Sequence, residues 1–112
     1  MEGFDRQLRA DAHAAIEEAG EWIQFFPWQQ APLRIKAIVD REPASSPRGL
    51  KGASVYKHEI RIERSECHGV MQINLGNDYV SFAGRIGGQV EKFKVMKVFG
   101  PQDAGMWHLG VG

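Results

Sequence analysis

The fold is decided by Val55-Tyr-Lys-His-Glu-Ile-Arg-Ile-Glu-Arg64. Apolar and charged side chains alternate through its second half, the two-residue period of a strand with one buried face. Ile60 and Ile62 are expected to face a core, and Glu59, Arg61 and Glu63 to face solvent. Upstream, Leu33-Arg-Ile-Lys-Ala-Ile-Val-Asp40 alternates in the same way, with Leu33, Ile35 and Ala37 sharing a face. Its phase slips at Ile38 and Val39, which reads as a bulge or a strand end. Between the two strands lies Arg41-Glu-Pro-Ala-Ser-Ser-Pro-Arg-Gly-Leu-Lys-Gly-Ala-Ser54. This stretch is too poor in apolar side chains to offset its own ordering entropy. Unstructured loops longer than about 12–15 residues are uncommon in compact domains and usually serve a function. A mobile loop over 41–54 is therefore expected to engage a partner, which points to assembly rather than to chemistry.

Working outward, Phe4, Leu8, Ala12, Ala15, Ile16 and Ala19 recur at helical spacing, with Gly20 as the stop. Half of that stripe is alanine, so the helix is expected to dock lightly. Trp22-Ile-Gln-Phe-Phe-Pro-Trp28 reads as a short extended segment ended by Pro27. Its aromatics either close one end of the core or form an interface patch. Downstream strands are expected at Asp78–Ala83, Val90–Phe99 and Met106–Val111, with a short further element at Val70–Leu75. The turns between them are Leu75-Gly-Asn-Asp78, Gly84–Gly88 and Gly100–Gly105. The pattern predicts a single, mainly β domain over 1–112. It comprises an N-terminal helix over 1–20 and a small β-sandwich or barrel of about six to seven antiparallel strands over 22–111. The expected core is Ile35, Ile60, Ile62, Val80, Phe82, Phe93, Val95 and Leu109.

Composition narrows the function. Hydrophobic residues make up 43 % and charged residues 25 %, ordinary for a globular domain. No apolar run approaches a membrane span, and Met1–Gln7 lacks the apolar core of a signal peptide. No membrane contact is expected. The net charge is zero, which argues against nucleic acid as the main ligand. The charge is unevenly spread, however. Residues 1–31 carry Glu2, Asp5, Asp11, Glu17, Glu18 and Glu21 against Arg6 and Arg9, a balance of −4. Residues 32–64 have a balance of +4 and include Arg41, Arg48, Lys51 and Lys57. This is either a solvated surface with chance clustering, or complementarity between an acidic segment of one copy and a basic loop of another. Within the loop, Leu50 is the one sizeable apolar side chain, flanked by Arg48 and Lys51. The candidate partner-binding residues are therefore Arg41, Arg48, Leu50, Lys51 and Lys57 on one side, and Asp5, Asp11, Glu17 and Glu18 on the other.

Catalytic signals are sparse. Cys67-His68 is the one metal-like pair, without the further Cys or spaced His that a zinc tetrahedron needs. Cys67 is read either as a nucleophile paired with a distant His or as a small, partly buried hydrophobe. Gly84–Gly88 is followed by neither Lys-Ser nor Lys-Thr and reads as a hairpin turn, not a phosphate loop. The pairs Glu59/Glu63 and Asp78/Glu91 are expected on solvated strand faces. No enzyme, metal or cofactor is expected.

The order of these segments resembles the lambda-type phage head–tail joining proteins. The resemblance runs through Phe93-Lys-Val-Met-Lys-Val98, the turn Gly100-Pro-Gln-Asp-Ala-Gly105 and Met106-Trp-His-Leu109. Upstream it takes in the helix opened by Phe4-Asp5, then Ile35-Lys-Ala-Ile-Val-Asp-Arg-Glu-Pro43, Ile60-Arg-Ile62 and the Gly76-Asn-Asp78 turn. The chain departs from the family pattern between Ile62 and Phe93, where Cys67–Leu75 and Gly84–Gly88 look like additions. The resemblance implies a virion protein made in the bacterial cytoplasm, placed at the head–tail connector as a ring, six-fold in the family. Its N-terminal segment and long loop would order on assembly. The implied partners are other copies of itself, the head-completion or portal proteins, and the tail tube or tail terminator protein. Alternatives are another neck or tail ring, such as a terminator or stopper, and a small-ligand-binding β module.

Overall fold

The computed structural model describes residues 2–41, 57–99 and 105–112, with side chains from residue 10 onward. One helix, α1 (Glu2–Ala19), precedes six strands: β1 (Glu21–Phe26), β2 (Leu33–Asp40), β3 (His58–Glu63), β4 (Tyr79–Ala83), β5 (Val90–Val98) and β6 (Met106–Val111). The strands close into an antiparallel barrel in the order β1-β2-β3-β6-β5-β4, with β4 pairing back onto β1. Closure leaves no unpaired edge to template pairing with another chain. The mainly β expectation is met, with six strands.

All eight expected core residues are buried. The barrel interior also takes Ile23, Phe25, Ala37, Val70, Trp107 and Val111. Interior side chains meet in register, Ala37 opposite Ile62 and Val80 opposite Phe93. Alternation therefore fills one space from six strands.

Four expectations are corrected. The slip at Ile38-Val39 is not a bulge. The β2–β3 register runs unbroken from Ala37↔Ile62 to Asp40↔Glu59, and Val39 packs on the core. The irregularity lies in β5, between Val95 and Lys97, where Met96 is the extra residue. Val70–Leu75 forms no strand; its backbone runs through bends and a turn, held by the Trp107 indole N–H donating to the Val70 carbonyl at 2.9 Å. Leu33, at the open end of β2, is exposed rather than inside. Glu59 and Glu63, expected in solvent, are buried to 6 % and 8 % exposure.

Glu59 is covered by His108 of β6, and Glu63 by α1. The helix contacts β2 and β3 in equal measure. Ala12 and Ile16 are buried, yet neither belongs to the barrel interior, so the helix lies against the outside of these strands. There His13 meets Glu63, and Glu17 meets Lys36. A Cβ at Gly20 would run into the Ile16 carbonyl oxygen, which accepts the Gly20 N–H at 2.7 Å. The helix thus ends where only glycine lets the chain turn into β1.

Candidate functional site

Pairing places the outward side chains of β2, β1, β4 and β5 in rows. Trp22 lies beside Lys36. Gln24 is flanked by Arg34 and Ser81, and Ser81 by Lys92. Tyr79 is flanked by Phe26 and Lys94. Ala83 and Val90 complete the sheet near the β4–β5 turn.

This face carries four cations and three aromatic rings, and none of the residues just named is a carboxylate. The cations lie over the rings. Arg34 is 4.7 Å and Lys36 5.3 Å from the Trp22 ring centre. Lys92 is 4.5 Å from Phe26 and 4.8 Å from Tyr79, and Lys94 is 5.8 Å from Tyr79. Each ring attracts the cation through its quadrupole while the lysine stems cover apolar surface. A broad open groove of about 490 Å³ crosses the face, bounded by Trp22, Arg34, Ser81 and Val90, with Glu21 at one end. Two large apolar side chains of its lining stand open to solvent, Trp22 at 55 % and Val90 at 70 % exposure. Chemically, the face offers fixed positive charge over a greasy floor, suited to carboxylates on a protein surface.

The sequence reading missed this surface. The period of two in β5 sets Lys92 and Lys94 apart from Glu91 and Phe93. Only the pairing register shows which cations on other strands stand beside them.

The predicted site residues are dispersed. Arg41 is committed within the chain: its guanidinium meets Glu21 at 2.6 and 3.1 Å, and its Nε donates to the Ala83 carbonyl at 2.8 Å. It anchors the point where the chain leaves β2. His58 returns beside it, a ring nitrogen 3.1 Å from the Arg41 carbonyl oxygen, its edge against Phe82 and Phe93. Lys57 is exposed. Asp11, Glu17 and Glu18 are exposed on α1, with Glu17 3.4 Å from Lys36. Arg48, Leu50 and Lys51, and the side chain of Asp5, lie outside the described residues.

The chemistry-bearing candidates settle into structural contacts. Cys67 is exposed in a turn where Ser65 Oγ accepts the N–H groups of Cys67 and His68 at 3.1 and 3.2 Å. The His68 ring packs against that of His13, tilted by 43° with ring centres 4.6 Å apart. Glu59 accepts from His108 at 2.6 Å, and Glu63 from His13 at 2.5 Å. The bond to Glu63 raises the His13 pKa, reinforced by the Glu63 and Glu17 charges and opposed by burial and Lys36. Asp78 is fully buried, unlike the solvated position expected for it. Its two oxygens accept the Trp28 N–H at 2.8 Å and the Asn74 N–H at 2.6 Å. Gly84–Gly88 is the β4–β5 hairpin turn, with Gly87 at φ +80°. Among the described residues no three His, Cys, Asp or Glu side chains group closely enough to hold a metal ion, and no helix is long and apolar enough to cross a membrane.

No family model matches the chain, and neither the curated proteins nor the solved structures contain a significant match.

Proposed function

We propose that this chain is a structural virion protein that joins the head of a tailed phage to its tail, as one subunit of a ring at the connector. The observation that carries the reading is the order of elements along the chain. Helix α1 precedes β1 and β2, and β2 runs through Arg41-Glu-Pro43 into the long segment before β3. The β4–β5 hairpin follows Gly76-Asn-Asp78, and β5 leads through Gly100–Gly105 to β6. These are the segments on which the resemblance to head–tail joining proteins rests.

The physical character of the domain supports the same role. A closed barrel with a packed interior is a rigid body, and with its edges paired it meets neighbours through faces and loops. The opposite charge balances of residues 1–31 and 32–64 supply the complementarity that head-to-tail association uses, the contact type that closes rings.

The test is complementation in vitro. Filled heads and finished tails are prepared from lysates of the phage or prophage lacking this gene, and the purified chain is added. Infectious tailed particles are the expected product. Heads and tails that stay separate despite folded protein would contradict the reading.

A further inference from the structure

We infer that the basic-aromatic face of β2-β1-β4-β5 is the receptor for helix α1 of a second copy of this chain, and that this contact links successive subunits of the ring. The inference rests on the ring reading above and adds the two surfaces that meet.

The first support is charge complementarity. The face presents Arg34, Lys36, Lys92 and Lys94, while the segment that contains α1 has a balance of −4. On the helix side turned away from the barrel, Asp11, Ala14, Ala15 and Glu18 are all exposed. Their spacing of three, four and seven sets them on one stripe. Two carboxylates roughly 10 Å apart thus bracket two alanines. Alanine lets a helix approach a sheet closely, and the carboxylates then fall among the cations. One such meeting already exists within the chain, since Glu17 reaches Lys36 at the corner of this same face.

The second support is geometry. Six strands divide the barrel circumference into steps of roughly 60°. Helix α1 sits over β2 and β3, and the face is centred between β1 and β4. The two surfaces therefore point about 120° apart around the barrel. Joining such surfaces head to tail turns each copy by roughly 60° relative to the last, which closes a ring instead of extending a filament.

Nucleic acid fits the face less well. Single-strand binding uses open aromatic faces on which bases stack. Here Lys92 lies over both Phe26 and Tyr79, and Arg34 lies over Trp22.

Zero-length carbodiimide coupling tests the contact on the wild-type protein, because it joins only amines and carboxylates that touch. The expected product is a covalent dimer whose linked peptides join Lys92 or Lys94 to Asp11 or Glu18; the Lys36–Glu17 pair serves as the internal control. Two charge-reversed proteins sharpen the test. Lys92→Glu with Lys94→Glu, and Asp11→Lys with Glu18→Lys, are each expected to lose dimer by about tenfold or more, since like charges then face each other. An equal mixture of the two is expected to recover it, because alternating copies are complementary at every contact. Circular dichroism establishes that both variants fold, and link mapping on the wild type needs neither. Links that map elsewhere, a mixture that stays monomeric, or an oligonucleotide that binds the face while no dimer couples would each overturn the inference. Heads and tails joined normally by the Lys92→Glu, Lys94→Glu protein would overturn this contact and leave the joining role standing. Failure of the wild type to join them would remove the joining role itself.

Discussion

His13 Nδ1 stands 2.5 Å from Glu63 Oε1, a bond that helps fasten helix α1 to the outside of the barrel beside buried Ile16. It fixes the sign of a pH effect. The His13 pKa is raised in the folded chain, foremost by that hydrogen bond. A histidine whose folded pKa lies above its unfolded one contributes stability in full below the unfolded value, about 6.5, and loses it as pH rises through the folded value. The melting temperature of wild type minus that of His13→Gln should be largest in mildly acidic solution and shrink toward alkaline pH. A difference that is flat with pH, or that grows with pH, would contradict the bond.

Asp78 ties two turns together with one carboxylate, and it is fully buried. Asp78→Ala should cost about 3 kcal/mol, because two backbone N–H groups lose a charged acceptor. Asp78→Asn, which keeps one acceptor oxygen, should cost less. Urea denaturation of the three proteins measures the order directly. An alanine variant as stable as wild type would show that the Trp28 and Asn74 turns hold without the carboxylate.

Two glycines should respond differently to alanine. A Cβ at Gly69 would overlap the Glu63 backbone, whereas Gly76 has φ +78° and open space around it. Gly69→Ala must push two backbones apart and should cost about 2–3 kcal/mol. Gly76→Ala meets only the left-handed penalty of about 1 kcal/mol. Thermal melts of both variants rank them, and the reverse order would mean the approach at Gly69 relaxes freely.

The barrel was legible in the sequence because strand alternation is local. Ile60 and Ile62, or Phe93 and Val95, announce a buried face within a few residues. The environment of the opposite face was not legible, since it depends on what the topology lays over it. Glu59 and Glu63 alternate as solvated residues do, yet β6 brings His108 to one and α1 brings His13 to the other. Ile38-Val39 looked like a phase slip because Ile38, outward and half-buried, is as apolar as its inward neighbour. The basic-aromatic face escaped for a related reason. Trp22, Arg34, Tyr79 and Lys92 come from four strands, and only the register makes them neighbours.

The segment after β2 carries a prediction of its own under the joining role. Arg48→Glu with Lys51→Glu should leave the protein folded by circular dichroism, yet block the union of heads and tails. Joining at the wild-type level in the complementation assay would remove these two residues from the partner surface.

The most direct measurement is electron microscopy of lysates from the phage, or the induced prophage, deleted for this gene. Joining at the connector predicts abundant filled heads and complete tails lying separate, with tailed particles restored when the gene is supplied in trans. Intact tailed particles in the deletion lysate would contradict a role in the neck.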